Sequence, residues 1–197
     1  VQDRASQLVA PLLDPQPGER VVDACAGAGG KTLHLAALMK NKGKVLSLDI
    51  HDWKLNELRE RARRDGVAIV ETRVIESSKV IKRLADGADR VLLDVPCSGL
   101  GVLRRNPDTK WKLTPEEIDK LKVTQAEILK SYSRMVKAGG TLVYATCSCL
   151  PSENQKQVEA FLAQAGGEWS LLEQDIVRPD EGRGDGFFAA KLIRKAP

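Results

Sequence analysis

No apolar run in this 197-residue sequence approaches the length of a membrane span, so the hydropathy offers no transmembrane helix. The opening residues lack the pattern of a signal peptide. The first residue is Val1, so a piece of a longer protein is expected, a monomer in the cytoplasm. Internal repeats, low-complexity tracts and linkers are also missing, which leaves one domain over residues 1–197. Histidine is scarce, with two isolated copies. Cys147 and Cys149 are too close for the usual spacing of zinc pairs, so no metal is expected. Four cysteines without an export signal read as reduced thiols. Neither sign of charge dominates: 31 Lys and Arg face 27 Asp and Glu. That mildly basic balance permits a polyanionic partner without demanding one.

What is present is more telling. Cations gather in "RERARR" (Arg59 to Arg64) and in "RRNPDTKWK" (Arg104 to Lys112). The second stretch has a Trp, a Pro and no helical period. A basic loop with an aromatic suits a phosphate backbone and a base, against the plainer reading of a solvated surface.

Along the chain, short apolar strands alternate with amphipathic helices. Strands are expected at 19–24, 43–50, 67–74, 89–95 and 141–146. Helices are expected at 5–13, 29–41, 52–66 (Asp52 as N-cap, Gly66 as stop) and 77–87. Two further helices follow: 113–140, closing on a double Gly, and 151–167, opening on a Ser152/Gln155 capping box. Two last strands, 168–175 and 186–194, have no helix between them and should pair antiparallel. Such alternation argues a parallel sheet covered on both faces.

Four of these strands end on Asp23, Asp49, Asp94 and, after Thr146, Cys147. Open α/β sheets bind ligands beyond the carboxyl ends of their strands. The first strand–helix turn is "DACAGAGGKT". It ends like a phosphate loop, but Cys25 stands where that loop needs its first glycine. The dinucleotide spacing fails too. Asp49 lies where an acid grips ribose hydroxyls, so the loop suits a nucleoside such as S-adenosylmethionine. Cys97 follows the fourth strand in "LLDVPCSG"; a small buried hydrophobe is the plain alternative for it.

Together "QDRASQLVAPLL", "DACAGAGGKT", "LDVPCSGLG", "RRNPDTKW", "YATCS" and "GDGFFAAKL" resemble the RNA 5-methylcytosine methyltransferases, the RsmB/Nop/NSUN (Sun/Fmu) group. The likeness is nearest to the bacterial RsmB type, which methylates a cytosine of small-subunit ribosomal RNA. The resemblance implies a class I S-adenosylmethionine-dependent methyltransferase: a Rossmann-like α/β fold whose seven-stranded, mostly parallel sheet has its last strand antiparallel, with helices on both faces. It implies a catalytic domain separated from an N-terminal RNA-binding domain. It implies that Cys25, Ala26, Gly27, Ala28, Gly29, Gly30, Lys31, Asp49 and Asp94 line the cofactor and cytosine sites. It makes Cys147 the nucleophile and gives Cys97 the release of the methylated base. Asp94 would hold the cytosine edge, and Lys31 would orient Asp94 or touch the base. Arg104, Arg105, Lys110 and Lys112 would hold RNA presented single-stranded or with its base flipped.

The chain departs from the pattern twice. Ala28 replaces a usual Pro. The usual Asp after the third strand is missing from "RVIESSK", leaving Glu76 as the candidate. The rivals are a transfer RNA methyltransferase, a DNA cytosine methyltransferase using Cys97, a non-catalytic RNA-binding module, and a nucleotide hydrolase, which Cys25 disfavours.

Overall fold

The computed structural model describes residues 2–179 and 184–196. Its strands are β1 (Arg20–Asp23), β2 (Lys44–Asp49), β3 (Val70–Val74), β4 (Ala88–Asp94), β5 (Val136–Thr146), β6 (Trp169–Val177) and β7 (Phe187–Arg194). They form one sheet in the order β3-β2-β1-β4-β5-β7-β6. The first five run parallel, and β7 is antiparallel to both its neighbours. The expected sheet and its antiparallel closing pair are therefore present.

The helices are α1 (Val9–Leu13), α2 (Gly30–Leu38), α3 (Asp52–Arg64), α4 (Ser78–Lys82), α5 (Thr109–Lys112), α6 (Pro115–Tyr132) and α7 (Gln155–Gln164). None among the described residues is long and apolar enough to cross a membrane. One core cluster joins Val91, Leu93 and Tyr144 to Leu129 of α6 and Val158 of α7. The other joins Val21, Leu92 and Val143 to Leu13 of α1 and Leu35 of α2. Alternate residues of β4 thus feed opposite faces, which is why the central strands read as unbroken apolar runs.

Four local expectations are corrected. The helix expected at 113–140 ends at Tyr132, and the double glycine lies inside β5. Pairing of β4 with β5 shifts register between Ala88 and Arg90. Gly139 there has φ +76°, and a Cβ on Gly140 would lie 2.7 Å from the Asp89 carbonyl. The glycines serve a bulge, not a helix stop. The N-terminal start of α6 is as read: Thr114 and Glu117 form a capping box. Asp52 is the first residue of α3 and not its N-cap, which is His51. The Ser152/Gln155 box is absent because α7 starts later, with Asn154 as N-cap. Asn154 turns inward and is 2% exposed, so its side chain bonds Thr146 of β5 and Ser148 just beyond it in place of the helix end. Finally, the helix expected at 5–13 is divided into a 3-10 turn, Ser6–Leu8, and α1.

Candidate active site

β1 lies between β2 and β4, and the chain crosses from β3 to β4 on the other side of β1. Connections therefore leave β1 and β4 in opposite directions, and a cleft opens at their carboxyl ends. The loop after β1 is pinned over this cleft. Ala24 N donates to the Leu92 carbonyl and Ala26 N to the Leu48 carbonyl, each at 2.9 Å. Asp49 accepts from Gly27 N at 2.9 Å with one oxygen and from His51 N at 2.9 Å with the other. Gly27 has φ +54° and Gly29 φ +88°, conformations that cost a side chain free energy. A Cβ on Gly29 would also lie 2.1 Å from Leu58 Cδ1 in the core. Gly29→Ala should therefore destabilise the domain by about 3 kcal/mol, combining left-handed backbone and overpacking. Urea unfolding measures this; an unchanged midpoint would contradict it.

At the heart of the cleft, Lys31 Nζ donates to Asp94 Oδ2 at 2.6 Å. The ammonium also stands 5.1 Å from the centre of the Phe187 ring. Cys97 Sγ and Cys147 Sγ are 3.4 Å apart. The two thiols belong to loops fifty residues apart in sequence, brought together by the pairing of β4 and β5. Their proton affinities separate. The hydrogen bond from Cys97 lowers the Cys147 pKa, helped by Lys31 and opposed by burial and Asp94. The same hydrogen bond, with burial, pushes Cys97 far up. Cys147 is thus the more acidic thiol of the pair and Cys97 the less acidic. The first cause of the lowered Cys147 pKa is the second thiol. Lys31, Asp94, Cys147, Arg105, Asp185 and Phe187 line a cavity of about 190 Å³ here.

Asp23 does not join this cleft as its strand-end position suggested. It is fully buried, accepts a hydrogen bond from Thr32 Oγ1 at 2.7 Å, and leaves Oδ1 without a partner. Burial pushes its pKa up to about 6. The folded state thus holds a proton that the unfolded chain releases near pH 4. The stability this proton provides is full below that unfolded value and is lost as pH rises through about 6. Asp23→Asn should therefore stabilise the domain at pH 7, by up to ~3 kcal/mol, and not at pH 4. Thermal melts at the two pH values test this; equal effects would refute it. The half-buried Cys25 is pushed well up by burial and by Asp23, Asp94 and Asp49 around it, so it remains a thiol.

Around the rim, the basic loop is tethered to the chain's closing segment. Arg104 donates to the Pro179 carbonyl, and Arg105 forms an ion pair with the buried Asp185. Arg105 lines both the small cavity and a neighbouring groove of about 810 Å³ that includes Lys112 and Lys120. Lys112 pairs with Asp108 at 3.1 Å. Lys110 sits over the ring of Trp111, which is 81% exposed. Glu76 is exposed beyond the end of β3. Cys149 is exposed, with its Sγ 3.8 Å from the Leu100 carbonyl. Sequence reading missed Phe187, Asp185, Gln125 and Glu153. No periodicity marks them; only the serine that follows each of Cys97 and Cys147 hinted at a shared partner.

A doubly wound sheet of this order, with an open glycine loop after β1 and an acid closing β2, defines a Rossmann-like S-adenosylmethionine-dependent methyltransferase. The loop fits that cofactor: a Cβ on Gly27 or Gly30 would meet nothing within 4 Å, so the backbone faces open space. More narrowly, the chain belongs to the family described as 16S rRNA methyltransferase RsmB/F, which matches residues 10–193. It is 39% identical to the "Probable ribosomal RNA small subunit methyltransferase B" of Synechocystis, covering 98% of this chain and 47% of that protein. It is 44% identical to the Bacillus subtilis protein of the same description, covering 83% of this chain and 37% of that protein. Among solved structures it is similar to NSun6 from Pyrococcus horikoshii, solved with SFG. The TM-score is 0.88 and the identity 28%, covering 100% of this chain and 53% of that one. The chain spans less than half the length of these curated relatives. Among the described residues no group of His, Cys, Asp and Glu could hold a metal ion.

Proposed function

We propose that this chain is the catalytic domain of an RNA cytosine-5 methyltransferase acting on a cytosine of small-subunit ribosomal RNA. One observation carries the reading: two thiols 3.4 Å apart beside a Lys31–Asp94 pair in a cavity at the switch point. Carbon 5 of cytosine is a poor nucleophile. The Cys147 thiolate adds to carbon 6, and carbon 5 becomes enamine-like. Asp94 meets the ring-nitrogen and amino edge and stabilises the adduct as charge develops, with Lys31 fixing its carboxylate. Bound S-adenosylmethionine supplies the methyl group as a sulfonium. The proton on carbon 5 then passes to Cys97, or to water beside it. The electrons of that C–H bond re-form the ring double bond, and the Cys147 sulfur leaves as thiolate. Once Cys147 is a thioether, Cys97 loses the first cause of its raised pKa, releases its own proton to water, and as a thiolate accepts the proton from carbon 5.

In this reading Cys25 to Lys31, Asp49 and Glu76 hold the cofactor. The groove that meets the cavity at Arg105 carries the RNA strand, with Arg104, Lys110 and Lys112 beside it. A DNA-type enzyme using Cys97 is disfavoured, because the contact with Cys147 and burial both push the Cys97 thiol up. The test is transfer of labelled methyl groups to small-subunit ribosomal RNA and to transfer RNA, followed by nucleoside mass spectrometry. 5-Methylcytidine in the ribosomal RNA is expected. Its appearance in transfer RNA alone, or another methylated nucleoside, would overturn the substrate or the chemistry. Binding of RNA without any transfer would favour the non-catalytic module.

A further inference from the structure

Two adjacent buried side chains grip the two cysteine loops. Glu153 is 0% exposed and Asn154 2%, and both precede α7. Glu153 holds the Cys97 loop. Its Oε1 accepts from Ser98 N at 2.8 Å and from Gln125 Nε2 at 2.9 Å. Its Oε2 accepts from Ser98 Oγ at 2.5 Å and from Ser148 Oγ. The Gln125 amide also donates to the Pro96 carbonyl at 3.0 Å. Residues on both sides of Cys97 are thereby fixed. Asn154 does the same for Cys147, accepting from Thr146 Oγ1 and donating to the Ser148 carbonyl at 2.9 Å. Ser148 Oγ joins the two halves, 3.1 Å from Ser98 Oγ. The Tyr144 hydroxyl anchors the Glu153 carbonyl from inside β5 at 2.7 Å.

A carboxylate buried without a cation is costly unless neutral donors surround it. Here four hydrogen bonds do so, and three come from the serines that follow Cys97 and Cys147. The bonds bracket the thiols and stop one residue short of them. We propose that Glu153 is the positioning residue that sets the Cys97–Cys147 separation, touching neither RNA nor cofactor and acting on methyl transfer only through the two thiols. Its effect on turnover rests on the proposed function; its effect on the thiol contact does not.

The experiment is a double-mutant cycle between Glu153 and Cys97, read by the pH dependence of Cys147 alkylation followed by peptide mass spectrometry, without RNA. Cys97→Ala removes the S–H donor and should raise the midpoint. Glu153→Ala should raise it likewise, and should add nothing in the Cys97→Ala background. With substrates, Glu153→Ala should lower kcat roughly 100-fold while leaving KM for RNA and S-adenosylmethionine near wild type. Glu153→Gln, which keeps the shape and can accept from Ser98 N and Gln125, should restore most of both readouts. If Glu153→Ala does not fold, Ser98→Ala carries the test, with the same rise in midpoint and a smaller loss of kcat. A folded Glu153→Ala, or Ser98→Ala, with an unchanged alkylation midpoint overturns the proposal. So does a shift that adds fully to that of Cys97→Ala. A wild-type chain that methylates no RNA but still yields the non-additive cycle would overturn the proposed function and leave the positioning role standing.

Discussion

Cys147→Ala is expected to abolish methyl transfer, by at least about four orders of magnitude, as loss of a covalent nucleophile does elsewhere. The expectation rests on the asymmetry of the thiol pair. The contact with Cys97 at 3.4 Å and the nearby Lys31 lower the Cys147 pKa. In the proposed mechanism, carbon 5 without Cys147 has no route to enamine character, and neither Asp94 nor Lys31 can supply one. Cys97→Ala should behave differently. Addition and methyl transfer can proceed, but the proton on carbon 5 loses its acceptor. Protein joined covalently to RNA should accumulate and run as a slow band on denaturing gels. An adduct that survives Cys147→Ala would sink the nucleophile assignment. Free release of product by Cys97→Ala would remove Cys97 from the release step.

Asp94→Asn should lower kcat about 10³-fold, within the range for a positioned acid–base group. Asp94 is 28% exposed at the side chain and its Oδ2 takes the Lys31 ammonium at 2.6 Å. Its other oxygen is therefore available to the edge of a base. Asparagine keeps the size but offers an amide in place of a charge, so it can neither share a proton with a ring nitrogen nor hold Lys31 by an ion pair. Lys31→Ala should cost less than Asp94→Asn, since it removes the orienting cation and leaves the carboxylate. Single-turnover rates with saturating RNA give the comparison. If Lys31→Ala were the more damaging, Lys31 would be touching the base directly.

Much of this site was legible in the chain. Asp49, Asp94 and Cys147 each stand at or just past the end of a β-branched, apolar run, and that position alone puts them at one edge of a parallel sheet. Asp23 satisfies the same rule and fails, because Thr32 on α2 draws its carboxylate into the core. Local sequence cannot tell a strand-end acid that faces solvent from one that faces a helix. The Ser152/Gln155 box failed for a related reason. Asn154 bonds Thr146 and Ser148 at the end of β5 and Glu153 bonds the distant Ser98 and Gln125, and these hydrogen bonds override a local cap. The double glycine at Gly139 and Gly140 was read as a helix stop; a bulge between neighbouring strands needs the same residue type.

The sequence by itself determined the order of strands and helices, the open loop after β1, and the two cysteine motifs, since each depends on periodicity or on residues close in the chain. Only the tertiary structure separates the two thiols in proton affinity. That depends on a 3.4 Å contact across fifty residues and on a lysine held by Asp94, beside a buried Glu153 bonded to the serine after each cysteine. Proton affinity is set by the groups packed around an atom, and no spacing along the chain records them.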